Sequence, residues 1–89
     1  MAYELRYSRH ADKAIGKLNR SVAVRILNEM DEVAALDDPR SRGKALTGNL
    51  SGLWRYRIGD YRVVCDIDDG RLVILAIDVG HRREVYRQQ

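Results

Sequence analysis

Apolar and polar positions alternate from Ala2 to Tyr7, with Tyr3, Leu5 and Tyr7 on one side and Glu4 and Arg6 on the other, the period of a half-buried strand. The period then lengthens. Ala11, Ala14, Ile15 and Leu18 recur at i, i+3, i+4 and i+7 behind Ser8, a suitable N-cap, so a first helix is expected from Arg9 to Leu18. Asn19 suits a left-handed C-terminal position and Ser21 a second N-cap. Ala23, Ile26, Leu27, Met30, Val33 and Ala34 then repeat the stripe for three turns, and this helix is expected to end near Asp38-Pro39. Two helices with similar apolar faces and a short connection predict an antiparallel hairpin lying on a sheet.

Arg40 to Gly52 is rich in Gly, Ser and Thr and reads as a loop anchored by Leu46 and Leu50. Leu53 to Ile58 and Tyr61 to Ile67 flank the two-residue turn Gly59-Asp60, and Asp68-Asp69-Gly70 leads into Leu72 to Ile77, apolar on both faces as an interior strand should be. The expected class is α+β: a small antiparallel four-stranded sheet packed against an N-terminal helical hairpin, in the order β-α-α-β-β-β. The whole chain, residues 1–89, is expected to be one domain.

Composition narrows this little. Sixteen Lys plus Arg against thirteen Asp plus Glu leave +3, and 45% hydrophobic residues exclude a disordered or collagen-like chain. A domain of this size buries roughly 60 to 65% of its unfolded surface, so its core is thin and a partner could add to its stability. The single cysteine, Cys65, lies in an apolar run and reads as a core residue of a protein in a reducing compartment. With no apolar signal core and no apolar stretch long enough to span a membrane, the expected location is cytoplasmic. No metal-ligand spacing or phosphate-cradling glycine motif is present, so neither a metal nor a cofactor is expected.

Charge placement says more than charge totals. A two-residue loop at Gly59-Asp60 fixes the pairing Ile58 to Tyr61, Arg57 to Arg62, Tyr56 to Val63, Arg55 to Val64 and Trp54 to Cys65. One side of the ribbon is then apolar, with Trp54, Tyr56, Ile58, Tyr61, Val63, Cys65 and Ile67. The other carries Arg55, Arg57 and Arg62 beside Val64. Guanidinium groups about 5.5 Å apart repel by roughly 0.8 to 3 kcal/mol as the effective dielectric falls from about 80 to about 20. A phosphate among the three reverses that sign, and planar guanidinium forks suit its oxygens. The competing reading is a solvated face whose long side chains splay apart.

The segment after Asp78 adds His81, able to exchange protons near neutrality, Arg82 and Arg83, able to balance charge, and Tyr86, able to stack on a base. Each has a plainer reading: a surface histidine, an Arg83 paired with Glu84 or solvent, and a tyrosine anchoring the tail.

The stretch Gly43-Lys44-Ala45-Leu46-Thr47-Gly48-Asn49-Leu50-Ser51-Gly52-Leu53-Trp54-Arg55-Tyr56-Arg57-Ile58-Gly59-Asp60-Tyr61-Arg62-Val63-Val64, with the ending Val79-Gly80-His81-Arg82-Arg83-Glu84-Val85-Tyr86-Arg87, resembles the RelE family of bacterial toxins over nearly the whole chain. The resemblance implies the toxin of a type II toxin-antitoxin system, a metal-independent endoribonuclease that cleaves mRNA in the ribosomal A site. It further implies 2′-hydroxyl attack leaving a 2′,3′-cyclic phosphate, and hetero-oligomeric neutralisation by an acidic, partly disordered RelB-like antitoxin. Carried over by position, the family's basic cleft falls on Arg55, Arg57 and Arg62, and its C-terminal arginine and tyrosine on Arg82 and Tyr86. Lys44 and Arg83 are expected to touch RNA backbone, and His81 to be a further candidate for proton transfer. Arginine stands at 55 and 57 where some members carry lysine, and His81 where others carry lysine, which leaves the acid and base open. The rival implied by the same superfamily is a ParE-like inhibitor that binds DNA gyrase without cutting RNA; a third reading is an inactive RNA-binding relative.

Overall fold

The computed structural model describes residues 2–81. The elements are β1 (Glu4–Tyr7), α1 (Arg9–Gly16), α2 (Arg20–Ala35), β2 (Lys44–Ala45), β3 (Trp54–Ile58), β4 (Tyr61–Asp68) and β5 (Val73–His81). They form an α+β fold with one five-stranded sheet in the order β1-β5-β4-β3-β2. Two features depart from the expected sheet. Lys44–Ala45, expected to be loop, adds a fifth strand by pairing with Arg55 and Trp54. β1 runs parallel to β5, from Glu4 beside Val73 to Tyr7 beside Ala76, so the sheet is mixed rather than antiparallel. Strand direction between elements so far apart in sequence is set by how the helices return the chain, which no local period encodes.

The β3–β4 register is the one expected, from Ile58 opposite Tyr61 to Trp54 opposite Cys65. Gly59 has φ 61° while Asp60 stays in ordinary space, the pattern of a hairpin turn with its positive φ first. β4 pairs antiparallel with β5, and the register slips between Val64 (opposite Asp78) and Cys65 (opposite Ala76), leaving Ile77 as a bulge. Ser8 secures that bulge. Its hydroxyl donates to the Ile77 carbonyl at 3.1 Å and accepts from the Ala11 N–H at 3.0 Å, so one side chain both caps α1 and ties it to β5.

Both helices pack on one face of the sheet. Ala11 and Ile15 of α1 and Ile26, Met30, Val33 and Ala34 of α2 bury against Tyr56, Ile58, Val63, Cys65, Ile74, Ala76 and Val79. Ile26, Met30, Val63 and Ile74 are fully enclosed, each a side chain whose burial contributes about 1.5 to 3 kcal/mol. Between the helices Asn19 does not take a left-handed C-terminal position. It is the N-cap of α2, with φ −54° and ψ 139°, and its side-chain oxygen accepts from the Ser21 N–H at 3.0 Å. Ser21 therefore sits inside the helix rather than capping it. Among the described residues no helix is long and apolar enough to cross a membrane.

The loop before β2 is bolted to the sheet. Tyr56 donates its hydroxyl to the Pro39 carbonyl at 2.7 Å, Trp54 donates its indole N–H to the Arg42 carbonyl at 2.7 Å, and Arg40 lies over the Trp54 ring. Arg40 also donates to both oxygens of Asp69, at 2.9 and 3.0 Å, and Tyr3 donates to Asp69 at 2.7 Å. At Gly43, with φ 77°, an added Cβ would lie 2.3 Å from the Arg55 carbonyl oxygen, so only glycine lets the chain approach β3 this closely. These contacts hold Lys44 at the edge of the sheet.

Candidate functional site

Alternation along the strands divides the sheet's side chains between two faces. Tyr56, Ile58, Val63 and Cys65 face the helices. On the other face, cross-strand partners form rows: Lys44 beside Arg55, Arg55 beside Val64 and Val64 beside Asp78, and next to that row Arg57 beside Arg62 and Arg62 beside Gly80. Lys44, Arg55, Arg57 and Arg62, four of the residues singled out in the sequence, thus share one patch drawn from three strands. At the β5 position of that row, Gly80 sets no side chain beside Arg62.

Five of the other described arginines are ion-paired, whereas Arg9 and Arg20, exposed on the helices, are not. Arg6, Arg25, Arg40, Arg42 and Arg71 pair with Glu4, Glu29, Asp69, Glu32 and Asp68. Among the described residues, Lys44, Arg55, Arg57 and Arg62 have no acidic partner. Asp78 is the carboxylate of the row, and it is engaged at 2.9 Å by the Nε2 of His10. Arg57 and Arg62 each make one long bond of 3.4 Å, to the Gly59 and Tyr61 carbonyls.

Arg62 carries the largest anomaly. It is 8% exposed, and its Nε is buried without a hydrogen-bond partner among the described residues. A buried donor left unmade costs about 1 to 3 kcal/mol, and a buried unpaired charge costs more. An anion seated over Arg62 would accept from that N–H and relieve the repulsion from Arg57 directly across the strand pair.

His81 is not brought to this patch. It pairs with Tyr61 in register and meets the Tyr61 ring edge-on, with centroids 5.9 Å apart at 81°, and Tyr61 packs against the helix-side core. The alternation of β5 turns it to the side opposite Arg62. Arg82, Arg83 and Tyr86 lie outside the described residues. Cys65 is fully buried in the core as expected, and burial pushes its thiol up to about 12, which makes it a poor nucleophile. Among the described residues no group of three or more His, Cys, Asp or Glu side chains is placed to hold a metal ion.

Sequence reasoning missed two features here. Lys44 joins Arg55 through a strand of two residues, too short to show any period. The His10–Asp78 pair spans 68 positions and depends on the bulge at Ile77.

The family described as "ParE toxin of type II toxin-antitoxin system, parDE" matches residues 5–86 of the chain. A curated relative, toxin RelG of Mycobacterium tuberculosis, is 33% identical over 91 residues, covering 99% of this chain and 100% of the relative. The toxin-antitoxin complex RelBE2 of Mycobacterium tuberculosis contains a chain that superposes with a TM-score of 0.84 at 25% identity, covering 92% of this chain and 93% of that one. The isolated E. coli RelE toxin superposes with a TM-score of 0.74 at 30% identity, covering 98% and 94%. Across such coverage, with the strand order and the cationic face already in place, the chain belongs to the ParE toxin family within the RelE/ParE superfamily and is the toxin of a type II toxin-antitoxin system.

Proposed function

We propose that the chain is an mRNA interferase, a metal-independent endoribonuclease that cleaves mRNA in the ribosomal A site and is neutralised by a cognate RelB-like antitoxin. The observation that carries this reading is Arg62: buried, lacking an acidic partner and holding an orphaned Nε, at the centre of a face shared with Arg55, Arg57 and Lys44. Such a face is built to receive a phosphodiester. The ribose 2′-oxygen attacks the adjacent phosphorus, the bond to the 5′-oxygen breaks, and the products are a 2′,3′-cyclic phosphate and a 5′-hydroxyl. The 2′-hydroxyl proton must leave and the 5′-oxygen must gain one, so the reaction consumes no water. Arg62 stabilises the negative charge that grows on the phosphate, joined by Arg82, whose role rests on its sequence position alone. Arg55, Arg57, Lys44 and Arg83 hold the backbone on either side, and Tyr86 stacks on a base to align the reacting atoms. An arginine stays protonated and makes a poor base, so the face contributes alignment and charge more than proton transfer. His81, turned to the helix side, has no part in this site.

The partner follows from charge and from the relatives. Neighbouring folds occur in toxin-antitoxin complexes, and an acidic antitoxin segment folding onto the cationic face would neutralise it and close it to RNA.

The second reading is a ParE-like gyrase inhibitor, favoured by the description of the matching family. One experiment separates the two: purified toxin is added to translating ribosomes with mRNA, cut ends are mapped, and gyrase supercoiling is followed in parallel. Cut message ending in a cyclic phosphate with supercoiling intact supports the nuclease. Blocked supercoiling with intact message overturns it.

A further inference from the structure

On the helix side of the sheet, opposite the arginines, a cleft of about 470 Å³ opens between α1 and the ends of β4 and β5. Its walls include His10 and Lys13 from α1, Lys17 at the C-cap of α1, Tyr61 from β4, and Gly80 and His81 from β5. The helix period puts the three basic side chains on one stripe, at i, i+3 and i+7. Among the described residues no carboxylate lines the cleft and neither lysine has an acidic partner. Asp78 stands behind His10 at 2.9 Å and fixes the orientation of its ring. Across from the lysines, the edge-on Tyr61–His81 pair presents aromatic surface at the mouth, where both residues are only half-buried.

Cations along one wall and two rings on the other make up the chemistry that grips single-stranded nucleic acid, by phosphate contact and base stacking. The volume lies within the range of sites that hold one small organic unit such as a nucleotide. We propose that this cleft is a second RNA site: Lys13 and Lys17 take a backbone phosphate while the Tyr61–His81 surface takes the attached base, so that one strand is held on both faces of the sheet end. The inference rests on the reading that RNA is the ligand of the arginine face, and extends it to a surface that face does not include.

The test uses the full chain and a short single-stranded RNA, 2′-O-methylated so that it cannot be cut, followed by fluorescence anisotropy over a range of salt. The double variant Lys13→Gln, Lys17→Gln changes two exposed side chains, one inside α1, where glutamine is a good helix former, and one at its C-cap. Its Kd is expected to rise roughly tenfold, the loss of two exposed ionic contacts. The slope of log K against log salt is expected to fall by about 1.4, at about 0.7 per phosphate contact. The control Arg9→Gln, Arg20→Gln removes two exposed cations that do not line the cleft and is expected to change Kd less than about twofold. Equal losses in both variants, or none in the lysine variant, overturn the proposal. So does a glutamate-rich peptide that binds through these lysines when RNA does not, which would make the cleft a protein site. If RNA binding depends on the lysines while the wild type leaves unmodified mRNA intact on translating ribosomes, the nuclease reading fails and the cleft stands; if the wild type cuts that mRNA while the lysine variant binds RNA as tightly as the wild type, the cleft alone is removed.

Discussion

Replacing Arg62 with methionine removes the charge and the orphaned Nε while leaving an unbranched side chain of similar reach. Arg62 faces Arg57 directly across the strand pair and is 8% exposed. Relief of that repulsion recovers roughly 0.8 to 3 kcal/mol at a spacing of about 5.5 Å. Eliminating an unmade buried donor adds to the gain, while the guanidinium's one long bond to Tyr61 is a small loss. A net gain of about 1 kcal/mol is expected, equivalent to a rise in Tm of about 4 to 8 °C for a domain of this size. The same variant is expected to lose about 10² to 10³ in cleavage rate, the cost of one transition-state charge donor. Stability and activity would move in opposite directions, as they do where a site is held in an unfavourable state until its ligand arrives. Phosphate sharpens the test: at ten times its Kd it should add about 1.4 kcal/mol to the wild type, and nothing comparable to the variant. Thermal unfolding by circular dichroism, with and without phosphate, reads both effects. A lower Tm for Arg62→Met, or equal phosphate responses in the two proteins, would refute the reasoning and make Arg62 a structural residue.

Gly43→Ala is expected to destabilise the fold by about 2 kcal/mol or more in urea unfolding, because the new Cβ meets the Arg55 carbonyl at a φ of 77°. Asp69 is held below the ordinary carboxylate range, first by hydrogen bonds from Arg40 and then by that from Tyr3. Its contribution is therefore present above the unfolded value of about 3.9 and lost as pH falls through the lower folded value, so Asp69→Asn should flatten acid unfolding in that window. Cys65, buried with its thiol pushed up to about 12, should resist alkylation in the native protein at about pH 8 and react on unfolding; mass spectrometry showing rapid native labelling would contradict its enclosure.

What the sequence discloses about this fold follows the range of the interactions concerned. The β3–β4 hairpin is legible to the residue because a two-residue turn leaves one register, and that register places Arg55, Arg57 and Arg62 on one side. The helices are legible from their apolar stripes, although α1 stops at Gly16 rather than Leu18. Asn19 is the instructive local miss: the same side chain serves a C-terminal left-handed position or an N-cap, and only the backbone turn between the helices decides. Features joining distant segments leave no local trace. The parallel pairing of β1 with β5, the addition of Lys44 to Arg55, and the hold of His10 on Asp78 all depend on chain return through the core. His81 shows the same limit. Its residue type suggests proton transfer, but strand alternation assigns it to the face away from the arginines, beside Tyr61.

The arginine face is most directly tested by nuclear magnetic resonance of the arginine side chains while a short RNA is added whose reacting ribose lacks its 2′-hydroxyl. The Nε–H signals of Arg55, Arg57 and Arg62 should move together and saturate at one RNA concentration, with Arg62 moving most because its donor gains a partner. RNA that binds while those three signals stay still would contradict the account.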